Sequence, residues 1–116
     1  MPYTASRVLR IDPSSDEVLE IGPTYPGGGY KWHGGLRAHS TGVIYAFPAH
    51  ANTVLCINTN VLPPQGVDTG SDASSWRVYT IPINRGKDDR DADDLKYKWL
   101  GGAYGADGCI YGKSYL

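Results

Sequence analysis

The hexapeptide Tyr-Lys-Trp-His-Gly-Gly at residues 30–35 returns later in the chain as Tyr-Lys-Trp-Leu-Gly-Gly at residues 97–102. A second motif follows each copy, Gly-Val-Ile-Tyr at residues 42–45 and Gly-Cys-Ile-Tyr at residues 108–111. A chain that repeats such motifs in the same order is built from one structural unit used more than once. The sequence therefore predicts a fold in which similar units lie side by side.

A third pair of motifs indicates the length of the unit. Val-Leu-Arg-Ile-Asp at residues 8–12 matches Val-Leu-Cys-Ile-Asn at residues 54–58, and Val8 and Val54 lie 46 positions apart. Four-stranded repeat units are roughly 40 to 50 residues long. The two hexapeptides are further apart because residues 60–75, rich in Pro, Gly, Ser and Asp, form an insert. We expect this insert to be a loop that carries what is peculiar to the protein.

Short β-prone runs alternate with turn residues along the chain. The predicted strands are residues 7–12, 17–21, 31–36, 43–47, 53–58 and 76–81, followed by the second copies of the hexapeptide and of the Gly-x-Ile-Tyr motif. If the strands of one unit are named A to D, the chain runs C-D, then A-B-C-D, then A-B. We predict a single all-β domain over residues 1–116, divided into a half unit at 6–22, a full unit at 30–82 and a half unit at 97–116.

Composition supports a β-rich protein and argues against two classes of partner. The chain has 15 Gly, 8 Pro, 9 Tyr and 3 Trp beside a single Met and a single Phe, and helix-forming residues are scattered. A net charge of -1 provides no basic field, which argues against nucleic acid or an anionic membrane as a partner. The polar first residues and the lack of an apolar run of about 18 residues predict an intracellular, cytoplasmic protein.

The two cysteines, Cys56 and Cys109, lie in apolar runs and show no Cys-x-x-Cys spacing. We expect both to be buried free thiols in a reducing compartment, rather than a disulfide or a metal pair.

The three repeated motifs together resemble the blades of a β-propeller, similar in style to kelch, NHL and YVTN repeats. The resemblance implies four-stranded antiparallel blades around a central channel, with strand A innermost and ligands bound by the D-to-A and B-to-C loops. Propellers typically close with about four to eight blades, and this chain has strands for about two. Either copies associate, so that A and B of one pair with C and D of the next, or the chain is a piece of a longer protein. Three copies would form six blades and four would form eight.

The candidate ligand- or partner-binding residues lie in or beside the loops that the resemblance assigns to the ligand face. They are Tyr25, Tyr30, Lys31, His33, His50, Asn52, Tyr97, Lys98 and Tyr115. Exposed aromatic rings in such loops suit protein contacts or stacking on sugars.

The Lys-Trp pair recurs in both hexapeptides, so we expect a shared structural role. Trp should pack between blades while Lys lies along apolar surface with its amine in water. A ring of ligand-facing lysines is the alternative. We predict that core packing accounts for Tyr45, Tyr79 and Tyr111.

No motif for catalysis or cofactor binding is found. The three histidines do not recur and are expected on the surface, the alternative being a metal or proton-transfer site. The acidic run at 88–94 resembles the start of a calcium loop, but Asp94 stands where glycine is required and Leu100 where glutamate closes the site. The glycines at 27–29 lack the following Lys of a phosphate loop, and no nucleophile elbow is present. We predict no metal, no cofactor and no catalytic residue.

The sequence thus predicts a non-catalytic binding or assembly module, with other proteins or copies of itself as partners. The alternative is a small-ligand propeller, lectin-like or a lyase or hydrolase, with its site at the channel mouth.

Overall fold

The computed structural model describes residues 1–27, 29–60, 77–84 and 97–114. Eight strands make up its regular structure: β1 Val8–Asp12, β2 Glu17–Ile21, β3 Trp32–Arg37, β4 Val43–Pro48, β5 Thr53–Asn58, β6 Val78–Pro82, β7 Trp99–Tyr104 and β8 Ile110–Ser114. The prediction of an all-β fold is confirmed. Among these residues the structure contains no helix of the length and apolarity that crossing a membrane requires.

The strands form three antiparallel sheets. The first sheet is β1-β2, the middle sheet is β3-β4-β5-β6 and the last sheet is β7-β8, so each strand pairs with its neighbours in the chain. Each hexapeptide begins a new sheet. The acidic run at 88–94, Tyr115 and the insert beyond Asn60 lie outside the described residues.

The first glycine of each Gly-Gly pair produces a β-bulge. Gly34 in β3 and Gly101 in β7 have φ angles of 68° and 124°, and one extra residue enters each strand at this point. A side chain is strained at such φ values, whereas glycine adopts them readily. The second glycine has a different role, because a Cβ on Gly102 would lie 2.6 Å from the Phe47 ring and would also overlap the Tyr111 carbonyl. The repeated motif therefore encodes a bulge and a close approach.

The core lies on one face of the middle sheet, where it meets the first sheet. Its buried residues are Val8, Trp32, Ala46, Leu55, Ile57 and Val78. Val8 belongs to the first sheet and the other five to the middle sheet. The Trp32 indole is only 2% exposed, and its Nε1 donates to the Thr53 carbonyl at 2.7 Å. This bond satisfies the one polar group of a large buried ring.

The last sheet packs on the opposite face of the middle sheet. Phe47 points away from the core face, since successive side chains of a strand alternate between faces and Ala46 is in the core. Its ring lies against the backbone of Gly102 and of Gly112. The middle sheet is thus held between two smaller sheets.

The contact between neighbouring sheets occurs twice in the same form. The Lys31 amide donates to the Tyr3 carbonyl at 2.8 Å, and the Lys98 amide donates to the Ala49 carbonyl at 3.0 Å. Tyr3 and Ala49 are 46 positions apart, which is the repeat length of the strands. The first and middle sheets are therefore related much as the middle and last sheets are.

The environment of the cysteines differs from the prediction for one of the two. Both are free, but only Cys56 is buried, whereas Cys109 is exposed. Burial raises the pKa of the Cys56 thiol to about 11, so this group stays protonated at neutral pH. Cys109 precedes β8, an edge strand, and no sheet covers it in the described structure.

The predicted core tyrosines also differ from expectation. Tyr45 is half-buried, but Tyr79 and Tyr111 are 40% and 57% exposed. Their positions in the strands are as predicted. Both lie on strands at the edge of a sheet, Tyr79 on β6 and Tyr111 on β8.

Candidate functional site

Four of the rings beside the repeated lysines form an aromatic cluster, made of Tyr3, Tyr30, His50 and Tyr97. Tyr3 stacks on Tyr30 with ring centroids 4.3 Å apart, and Tyr97 lies 4.5 Å from His50. Tyr30 joins the two pairs, at 5.3 Å from His50 and 5.4 Å from Tyr97. Contacts of this kind contribute about 0.5–1.5 kcal/mol each beyond their buried area. The cluster therefore ties the hexapeptides of β3 and β7 to each other.

Backbone bonds hold the centre of this cluster. The His50 amide donates to the Tyr30 carbonyl at 2.8 Å, and the Tyr30 amide donates to His50 Nδ1 at 3.2 Å. Because Nδ1 accepts, the proton of the neutral imidazole lies on Nε2. His50 is only partly exposed, whereas the sequence predicted surface histidines. His33 is exposed at the edge of Tyr3, and exposed His39 stacks on Tyr104 at 4.8 Å.

The Lys31 ammonium lies inside the protein rather than in water, which corrects the expectation from the sequence. Lys31 is 6% exposed, and its Nζ donates to the Thr4 and Gly27 carbonyls at 3.3 and 3.4 Å. A charged group can be buried only where polar partners replace its hydration, and the two carbonyls provide them. The hydrogen bonds of Lys31 therefore link the segment before β1 to the loop before β3.

Lys98 repeats this arrangement in a more open setting. Its Nζ donates to the His50 carbonyl at 3.3 Å and to Asn52 Oδ1 at 3.5 Å. Thr4 and His50 are 46 positions apart, so the two lysines bind equivalent carbonyls. Both lysines join neighbouring sheets, and their ammonium groups are directed to backbone oxygen.

Lys31→Met is expected to lower the free energy of unfolding by about 1–3 kcal/mol, because the hydrogen bonds from the ammonium group to two backbone carbonyls are lost while the apolar stem is kept. Lys98→Met is the matched control and should cost less, since Lys98 is only half-buried. Urea unfolding at one fixed protein concentration measures both values. An equal loss for the two variants would contradict the structural difference.

The structure brings most of the predicted site residues together. Tyr30, His50, Tyr97, Lys98 and Asn52 are connected by the contacts above, and Lys31 and His33 adjoin them. Tyr25 packs edge-on against Trp32 at 5.0 Å and lines a small pocket with Lys31 and His50, and burial raises the pKa of its hydroxyl.

Sequence reasoning did not single out Tyr3, which completes the aromatic cluster. The 46-residue period aligns Tyr3 with Ala49, but only the structure shows that both carbonyls accept from the amide of a repeated lysine.

A groove of about 600 Å³ lies between the middle sheet and the last sheet. Its apolar lining includes Tyr45, Val54, Ile81, Ile83 and Ile110. Val54 and Ile81 are direct partners on β5 and β6, on the face of the middle sheet that lies away from the core. The last sheet has only two described strands, and it leaves this half of the face open.

The first sheet carries an apolar face that no described residue covers. Leu9, Ile11 and Val18 are 54%, 61% and 56% exposed. Their equivalents in the middle sheet are Leu55, Ile57 and Val78, each 8% exposed or less. The equivalence follows from the registers, because Leu9 and Ile11 occupy the same places on β1 that Leu55 and Ile57 occupy on β5. We call these three exposed residues the open face.

β1 and β8 each have one edge that pairs with no strand among the described residues. β1 pairs with β2 alone, and β8 pairs with β7 alone. An unpaired strand edge presents backbone donors and acceptors to any strand that can reach it.

A comparison with protein-family models, with curated proteins and with solved structures found no match. In the part of the chain that the structure describes, no three His, Cys, Asp or Glu side chains are grouped so that they could hold a metal ion.

Proposed function

We propose that this chain is a non-catalytic assembly module of the β-propeller type, whose copies associate head to tail. The observation that carries the proposal is the open face. Leu9, Ile11 and Val18 are exposed at positions whose equivalents in the middle sheet are buried against a neighbouring sheet. Apolar surface that is contiguous and rimmed by a free strand edge is typical of a protein interface.

The repeated contacts between sheets support a propeller arrangement. The lysine bonds that join the first and middle sheets recur between the middle and last sheets. Neighbouring sheets are therefore placed in a similar way at both junctions. Repeating the same step adds further sheets around an axis. A closed ring of such sheets leaves no open face and pairs the edges of the two partial sheets, while each four-stranded sheet keeps an inner and an outer edge.

Head-to-tail association also completes the partial sheets. The last sheet consists of two strands that correspond to A and B of the repeat unit, and the first sheet consists of two that correspond to C and D. The last sheet of one copy and the first sheet of the next would together form a four-stranded sheet like β3-β4-β5-β6. An interface between unlike ends closes into a ring when the rotation per copy divides the circle. With about two blades per copy, three copies form six blades and four form eight.

Light scattering across a concentration series tests this function. We expect a discrete species of three or four chains whose mass does not depend on concentration over a wide range. A single-chain mass at all concentrations would contradict the proposal, and the open face would then belong to contacts with other proteins.

A further inference from the structure

We infer that β8 of one copy pairs antiparallel with β1 of a second copy in the register of β4 with β5, and that the open face then fills the groove. This inference rests on the proposed head-to-tail assembly and adds the partner strand, the register and the buried side chains. The occupant is a second copy of this chain, because the chain itself contains both halves of the contact and a complete example of it.

The complete example is the pairing of β4 with β5. In it Val43 lies opposite Asn58, and Ile44 lies opposite Ile57. The repeated motifs relate β4 to β8 and β5 to β1. β8 is therefore a second copy of a strand whose partner is known, and β1 is a second copy of that partner.

Transferring the register gives specific partners between two copies. Cys109 takes the place of Val43 and Asp12 that of Asn58, so these two residues face each other. By the same rule, Ile110 lies opposite Ile11. The pair of β-branched residues suits neighbouring positions in an antiparallel sheet.

The faces of the strands agree with this register. Val8 packs against the core face of the middle sheet, so Leu9 and Ile11 point to the other side of the first sheet. In the assembly the Leu9 and Ile11 side of the first sheet packs against the middle sheet of the neighbouring copy. The contact is on the face away from the core, where Val54 and Ile81 line the groove. Two apolar surfaces that are open in one chain are thereby closed against each other.

Charge and hydrogen bonding are compatible with the same contact. Arg10 takes the place of Cys56 and so lies opposite Tyr111, which holds the place of Tyr45. The Tyr111 hydroxyl donates to Asp107 Oδ2 at 2.6 Å, and this bond lowers the pKa of the Asp107 carboxyl. Within one chain the Arg10 guanidinium lies 3.8 Å from the Asp12 and Glu17 carboxylates, and in the inferred register it would also lie across from the Tyr111 ring, whose face attracts a cation.

The test uses a native thiol of the complete chain. In the inferred register the introduced thiol of Asp12→Cys lies directly across from Cys109 of the neighbouring copy, within the Cα separation that a disulfide needs. Cys56 is buried and does not compete. After mild oxidation, a non-reducing gel should show most chains linked between copies, and peptide mass spectrometry should identify Cys109 as the partner.

Two matched variants control for register and for the altered turn. Glu17 lies opposite Asp12 on β2, one strand further from Cys109, at about 10 Å in the assembly, so Glu17→Cys should not cross-link. The Asp12 carboxylate accepts bonds from Ser14 in the turn, and Asp12→Ser removes this carboxylate without adding a thiol. If Asp12→Cys fails to fold, the variant Ile11→Cys with Ile110→Cys, in a Cys109→Ser background, tests the same register.

The outcomes separate this inference from the proposed function. Cross-links in Asp12→Cys but not in Glu17→Cys support the register. A discrete assembly by light scattering in which neither variant cross-links, or both do so equally, overturns the register and leaves the proposed function standing. A single-chain mass with no cross-link overturns both. A cross-link within one chain would show on the gel as no change of mass and also overturns the inference, because the middle sheet separates β1 from β8.

Discussion

Trp32→Ala is expected to remove a large part of the protein's stability. The indole is 2% exposed, packs with Val8, Leu55 and Val78, and donates from Nε1 to the Thr53 carbonyl. Truncating such a buried aromatic residue costs about 3–5 kcal/mol through lost burial and the cavity that remains. A small domain has a total stability of about 5–15 kcal/mol, so the loss is a large part of it. Circular dichroism with urea unfolding measures the effect.

Trp99→Ala is the matched control, because Trp99 occupies the same place in the second hexapeptide. Trp99 is only half-buried in the described structure, where its ring lies over Gly112. We expect the fold to survive this substitution with a loss near 1 kcal/mol, typical of partly exposed sites. If assembly completes the last sheet, Trp99→Ala should weaken association more than folding. Equal unfolding by both variants would show that the two hexapeptides have the same role within one chain.

Ile11→Asp is expected to reduce the assembly to single chains. Ile11 is 61% exposed in one chain, so a carboxylate there is hydrated and should leave the fold intact. In the assembly the same carboxylate would be buried without a partner, which costs several kcal/mol. A loss of about 2.7 kcal/mol already weakens an equilibrium 100-fold. Light scattering of the variant at the concentration where the parent protein assembles measures this loss.

Thr24→Asp adds the same charge at an exposed loop position outside the open face, and it controls for net charge. The control should assemble like the parent protein, and both variants should show the parent's circular dichroism spectrum. Assembly of Ile11→Asp at the parental mass would mean that the open face is not the contact surface. Unfolding of Ile11→Asp would mean instead that Ile11 packs within one chain, contrary to its exposure.

The strands could be predicted because their signals are local. The run at 53–58 was predicted as a strand and is β5 with the same bounds, and the turn at 13–16 joins β1 to β2 as expected. Alternating side chains, β-branched residues and turn-forming Pro and Gly act within a few positions of one another. The repeat also placed the start of each sheet correctly, since β3 and β7 begin within the two hexapeptides.

The candidate site could be predicted only in part. We predicted Tyr30, His50 and Tyr97 as site residues because they lie in or beside loops, and the structure places them in one cluster. The bonding of Lys31 could not be anticipated, because its carbonyl partners come from segments 4 and 27 residues away. Sequence patterns describe which residue types favour a strand or loop, but they do not describe which distant carbonyl lies within reach of an ammonium group.

Burial was also predicted incorrectly for three residues, Tyr79, Tyr111 and Cys109. Their apolar character predicted burial, yet all three are exposed in the described structure. Residue type and alternation determined by themselves that this chain forms short antiparallel strands in repeated units, since the backbone geometry of a strand depends on near neighbours. Only the tertiary structure decided which faces of those strands are covered, because burial requires a second sheet, and the described strands provide none over the open face.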